Sequence, residues 1–118
     1  NGTRMFSNTG ATAYACSKAA QAAMCKMLAV ELGRHQIRVN VVCPGAIDTE
    51  IEKNTEKREL EGIKQPVEFP EGSIPLTGKQ SGRASQVADL VLYLASDRAS
   101  HINGSEIWVD GGQSLVQG

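Results

Sequence analysis

Neither sign of charge dominates this sequence. Twelve Lys and Arg face thirteen Asp and Glu, for a formal net charge of -1 over 118 residues. That balance leaves no basic field to attract nucleic acid or an anionic membrane. No apolar run approaches the roughly 18 residues of a membrane span, and no signal-peptide pattern is visible. Cysteine is sparse and unpaired in pattern: Cys16, Cys25 and Cys43 are an odd number with no CxxC spacing. Such thiols suit a reducing cytoplasm better than a disulfide scaffold. His35 and His101 lie far apart and show no ligand spacing to the cysteines, so no metal site is expected. There are also only two tyrosines, which makes the setting of one of them informative.

What is present is ordinary globular material, 41% apolar and 21% charged, enough for one core. The chain opens on "NGTRMFSNTG", without an initiator Met and without an element before the first helix. It is expected to start inside a larger fold. "TAYACSKAAQAAMCKMLAVELG" predicts a helix over roughly 12–33, built from Ala, Met, Leu, Lys and Glu. Gly33 is its expected stop, with Arg34 and His35 beside the negative helix end. Eight alanines between 11 and 29 leave thin ridges. The helix is read either as buried in its own domain or as packed against a helix of another subunit.

"IRVNVVCPG" (37–45) reads as a strand ended by Pro-Gly, apolar on both faces as in a covered parallel sheet. Residues 49–82 change character. Between 50 and 64 there are five Glu and four Lys or Arg, with Ile51, Leu60 and Ile63 as apolar anchors. Pro66, Pro70, Gly72, Pro75, Gly78 and Gly82 follow. The stretch reads as an excursion from the core and, lying directly after Pro-Gly, as a substrate lid. "RASQVADLVLYLASDRAS" (83–100) predicts an amphipathic helix with Ser85 as N-cap and an incomplete capping box. Its stripe is Val87, Leu90, Val91, Leu94 and Ala95. "SEIWVDGG" (105–112) reads as a last short strand with a glycine pair after it. Asn40 is expected to be a structural hydrogen-bonder, and Asp110 to tie down the closing turn.

Tyr14 and Lys18 are four positions apart, hence on one helix face. A phenol of pKa near 10 is only about 0.1% ionised at neutral pH. Bringing such a group to working pH takes about 4 kcal/mol. An ammonium at about 5 Å, at an effective dielectric near 20, supplies about 3 kcal/mol of that. Ala15, Cys16 and Ser17 are small and leave room for a ligand. The pair suits a tyrosine that trades a proton with a substrate oxygen, though YxxxK by itself also arises by chance.

Taken in order, "YACSK" at 14–18, "IRVNVVCPGAIDT" at 37–49, a charged variable segment and "ASDRASHINGSEIWVDGG" at 95–112 resemble the short-chain dehydrogenase/reductase family, single-domain branch. The resemblance covers essentially the whole chain. It implies an α/β fold: residues 1–118 as the C-terminal portion of a doubly wound Rossmann-type parallel sheet, with 49–82 as substrate loop. It implies an NAD(P)-dependent oxidoreductase moving hydride between NAD or NADP and an alcohol or ketone. Tyr14 would be the acid/base, and Lys18 would ease its deprotonation and hydrogen-bond the nicotinamide ribose. Pro44 and Gly45 would turn the chain beneath the nicotinamide. Ile47 would meet the carboxamide through its backbone, and Thr49 would contact cofactor amide or phosphate, a role compatible with capping a following helix. A homo-tetramer or dimer in the cytoplasm is further implied.

The family's glycine-rich phosphate loop, its cofactor-selecting residue and its "NNAG" stretch are not in these residues. The catalytic serine has no clear counterpart either. Ser7 lies too close to Tyr14, and Thr3 is a poor substitute. The rival reading is a non-catalytic scaffold fragment of the same fold. An epimerase or dehydratase of the larger relatives would need a C-terminal substrate domain for which "VDGGQSLVQG" leaves little room.

Overall fold

The computed structural model describes residues 11–50 and 74–116. Expectations resting on residues 1–10, on Ile51, Leu60, Ile63, Pro66, Val67, Phe69, Pro70 and Gly72, and on a helix capped by Thr49 lie outside the described residues. The elements are α1 (Thr12–Gly33), β1 (Val41–Pro44), β2 (Ile47–Asp48), β3 (Gly82–Arg83), α2 (Ala84–Ala95), a 3-10 turn (Asp97–Ala99), β4 (Glu106–Val109) and α3 (Gln113–Val116).

Helix α1 has the bounds its composition predicts. No side chain caps its start at Ala11. It closes at Gly33, but Gly33 is not the residue that takes the left-handed conformation. The chain tightens through His35 N–H to Leu32 C=O and Gln36 N–H to Gly33 C=O, each 2.9 Å, and Gln36 carries φ 59°. Cys25 and Ala29 are the buried residues of α1, whereas Met24, Met27 and Val30 are exposed. The described residues therefore cover one face of α1 and leave the other to the rest of the domain or to a second copy, and both readings stand.

Strands β1 and β4 pair in parallel, Val41 opposite Glu106 through Pro44 opposite Val109. The parallel arrangement matches the expectation, and the strand is shorter than expected. Residues 37–40 lie outside the ladder, with Gly104 N–H donating to Val39 C=O at 2.8 Å and side chains making the other ties. Val39 N–H donates to Asn103 Oδ1 at 2.9 Å, and Asn103 Nδ2 donates to Ala29 C=O at 3.0 Å, tying α1 to the strand entrance. Asn40 bonds Ile102 C=O at 2.9 Å and accepts from Ser105 N–H at 3.1 Å, the structural role expected of it. Arg38 Nη2 donates to Leu94 C=O at 2.7 Å and Ser96 C=O at 3.3 Å, taking up carbonyls that the end of α2 leaves unpaired.

That arrangement explains why α2 stops at Ala95 and not at 100. Ser96 is extended, and its Oγ donates back to Tyr93 C=O at 2.7 Å. The helix starts one residue before Ser85, so Ser85 is not the cap. Gln86 Oε1 instead accepts from Arg83 N–H at 2.8 Å, the back half of a capping box. Of the predicted stripe, Leu94 is buried, Val87 and Leu90 are half-buried, and Val91 and Ala95 are exposed.

Strands β2 and β3 form a second parallel pair, Ile47 opposite Gly82 and Asp48 opposite Arg83. A turn from Ile74 to Gly78 docks against the end of β4. Leu76 N–H reaches Gly111 C=O at 3.1 Å, and Ile74 is buried against Gly111.

Candidate active site

Two contacts orient α1 on the sheet. Lys26 Nζ meets Glu106 at 2.6 Å, and Ala29 C=O accepts from Asn103. Helix positions fall as strand positions rise, so α1 runs antiparallel to β4. Lys18 is eight residues before Lys26, about 12 Å along the helix axis, while β4 spans about 10–13 Å. Tyr14 and Lys18 therefore lie towards the carboxyl ends of the strands. In open α/β sheets that is the end where ligands bind.

At those carboxyl ends the chain makes a held turn. Gly45 N–H donates to Val109 C=O at 3.0 Å, Ala46 N–H to Gln113 Oε1 at 2.8 Å, and Gly82 N–H to Ala46 C=O at 2.9 Å. Glycine is required at 45 because the turn lies directly on Asp110: a Cβ there would sit 2.6 Å from Asp110 Cβ and 2.8 Å from Asp110 Cα. Pro44, Gly45 and Ile47 are thus brought into one turn. Thr49 is exposed just beyond β2.

Asp110 ties the other side of this turn, as expected. Its Oδ1 accepts from Gly112 N–H and its Oδ2 from Ser114 N–H, both at 2.9 Å. Gly111 and Gly112 have φ of 61° and 85°, a left-handed pair that only glycine adopts freely. Burial pushes the Asp110 carboxyl up, but hydrogen bonds from the Ser114 side chain and backbone, the Gly112 backbone and its own backbone outweigh this, and the net direction is down. A folded carboxyl more acidic than its unfolded counterpart contributes stability above the unfolded value, near pH 4. That contribution is lost as pH falls through the folded value. Asp110→Asn is expected to cost about 1–2 kcal/mol at pH 7. The gap to the native chain should close below about pH 4, which chemical denaturation across pH 3–7 measures.

On α1, Lys18 Nζ stands 5.6 Å from the centroid of the Tyr14 ring. Within the described residues its hydrogen bond is a long one of 3.4 Å to Gln21 Oε1. Tyr14 is 56% exposed, and its hydroxyl has no hydrogen-bond partner among the described residues. Ser17 Oγ turns back onto Tyr14 C=O at 2.7 Å. The sequence pairing is thus realised as a cation against an aromatic face.

The cysteines form no disulfide. Burial first, then the neighbouring Glu106 carboxylate, push the Cys25 thiol up, with Lys26 partly opposing. It is a packed thiol. Sequence reasoning missed Gln113, a buried polar side chain bonded to the turn. The signal available was its place directly after a strand-ending Asp-Gly-Gly.

Residues 1–114 match the family model described as enoyl-(acyl carrier protein) reductase. The chain is 39% identical over 109 residues to the 3-oxoacyl-(acyl-carrier-protein) reductase FabG of Thermotoga maritima, covering 92% of this chain and 40% of that protein. It is 38% identical over 110 residues to the 2,3-dihydro-2,3-dihydroxybenzoate dehydrogenase of Bacillus subtilis, covering 91% and 41%. The structure superposes on a 3-ketoacyl-ACP reductase from Sinorhizobium meliloti 1021 with a TM-score of 0.85 at 55% identity, over 98% of this chain and 45% of that one. Against a 4-hydroxyisoleucine dehydrogenase complexed with NADH the TM-score is 0.66 at 29% identity, over 88% and 39%. The chain spans about two fifths of the length of the curated relatives it matches, and corresponds to their C-terminal part. With its two parallel strand pairs, the crossover helix α2 and the Tyr-Lys helix, the chain belongs to the short-chain dehydrogenase/reductase family, and its strands are part of a Rossmann-type sheet.

Proposed function

We propose that residues 1–118 supply the carboxyl-terminal share of one NAD(P)-binding domain whose enzyme interconverts a secondary alcohol and a ketone. The observation that carries the reading is the Tyr14–Lys18 pair, an exposed phenol whose ring stands 5.6 Å from an ammonium at the ligand-binding end of a parallel sheet. The residues present fit the nicotinamide end of a dinucleotide. The Tyr14 side chain is exposed with Lys18 beside its ring, and the turn at 44–47 bonds Val109, Gln113 and Gly82. A bound nicotinamide supplies or accepts the hydride.

The chain's own residues do the rest. Tyr14 gives a proton to the carbonyl oxygen during reduction and takes it from the hydroxyl during oxidation. Lys18 favours negative charge developing on the phenol oxygen and holds ribose hydroxyls through its remaining N–H donors. Pro44, Gly45, Ile47 and Thr49 bind the cofactor, chiefly through backbone groups of the turn. Residues 49–82 serve as the substrate loop. A homo-tetramer or dimer is part of the same reading; exposed Met24, Met27 and Val30 on α1 and Val91 and Leu92 on α2 are open to a second copy or to the rest of the domain. No described helix is long and apolar enough to cross a membrane. A cytoplasmic location and a small-molecule substrate belong to the same proposal.

The test is consumption of NADH or NADPH by the full-length protein against ketones that include 3-oxoacyl thioesters, the class named in two of the relatives. Turnover of at least one is expected. Failure to oxidise either cofactor with any of them would overturn the reading.

A further inference from the structure

The carboxyl-end turn is held by three bonds, and of these only Ala46 N–H to Gln113 Oε1 runs through a side chain. In a trans peptide the N–H and the preceding C=O point in opposite directions, and the described chain has no cis bond. Each bond therefore fixes a second group. With Ala46 N–H aimed at Gln113, the Gly45 carbonyl points the other way. With Ala46 C=O aimed at Gly82 N–H, the Ile47 N–H points away from β3. Gly45 has no Cβ to resist rotation, so the 45–46 peptide plane depends on what Ala46 N–H bonds.

Gln113 is suited to that task. It is 9% exposed, its own N–H is bonded to Asp110 C=O at 3.0 Å, and its Oε1 lies 2.7 Å from where a Cβ on Gly45 would be. We infer that Gln113 is a positioning residue. By fixing the 45–46 peptide it presents the Gly45 carbonyl and Ile47 N–H to the nicotinamide end of the dinucleotide, without touching the cofactor itself. The inference rests on the proposed function.

Two variants test it. Gln113→Met keeps the volume and removes the acceptor, while Gln113→Asn keeps the amide and shortens its reach. Asn103→Ala, at the opposite ends of the same strands, is the control for a general loss of stability. Both Gln113 variants are expected to weaken NADH or NADPH binding about tenfold, the scale of one lost hydrogen bond. They should also lose hydrogen-exchange protection at Ala46, whereas Asn103→Ala lowers Tm and keeps the wild-type Kd. Unchanged binding in the Gln113 variants, or equal weakening in Asn103→Ala, would overturn the inference alone. A native protein that binds neither dinucleotide would remove the proposed function and this inference with it.

Discussion

Tyr14→Phe should lower kcat by about 10²–10⁴-fold, the range for loss of a general acid–base group, with Tm and cofactor Kd unchanged. The second half of that statement comes from the structure. The Tyr14 ring is more than half exposed, and its hydroxyl bonds nothing among the described residues, so its removal breaks no packing. Only a reaction that needs the oxygen would register the change. Lys18→Met should behave differently. At 5.6 Å and an effective dielectric near 20 the ammonium interacts with charge at the ring by about 3 kcal/mol, less after solvent screening. If the same cation also holds ribose hydroxyls, kcat falls and the cofactor Kd rises together. Steady-state kinetics with dinucleotide titration separate the two variants. A Tyr14→Phe enzyme with native turnover would remove the chemistry assigned to the pair.

Gly45→Ala should destabilise the fold by about 1–3 kcal/mol, the cost of overpacking a closed site, and should weaken dinucleotide binding as well. Two of the three atoms the new methyl would meet are Asp110 Cβ and Cα, at 2.6 and 2.8 Å, and neither can swing aside. Relief requires moving the turn at 110–112, whose two glycines are already committed to positive φ. Gly82→Ala offers the contrast. There the closest atom, at 2.8 Å, is Ile47 Cδ1, the tip of a flexible side chain. It should cost less than half as much. Urea denaturation of the two variants side by side decides this, and equal stabilities would show that the turn yields more readily than its contacts imply.

The parts of the molecule legible in the sequence were those set by local chemistry. Helix α1 follows from fourteen or so strong helix formers, and its bounds came out as read. The Pro-Gly stop and the role of Asp110 were also readable, because a carboxylate before two glycines has few places to put its oxygens. What was not legible depends on partners distant in sequence. The strand at 37–45 shrinks to Val41–Pro44 because Asn103, 64 residues beyond Val39, takes the N–H that a ladder would have used. Helix α2 ends early because Arg38 collects its last carbonyls from 56 residues upstream. Gln113 was overlooked for the same reason, since its partner lies 67 residues away. At the candidate site the spacing of Tyr14 and Lys18 announced their proximity, but not that the cation would settle against the ring.

The short pairing of Ile47–Asp48 with Gly82–Arg83 has a consequence for diversification. It sets the two ends of the intervening stretch side by side, about 4.8 Å apart, so that the part before the docked Ile74–Gly78 turn is free to vary. Doubling the length of a chain that leaves and returns at neighbouring points adds only about 0.6 kcal/mol in closure entropy. One sequence there can thus be exchanged for another, longer or shorter, with the frame that carries Tyr14 and the Pro-Gly turn left standing. The stitch at its base makes this part of the protein interchangeable, and new molecular preferences can be grafted there without rebuilding the chemistry.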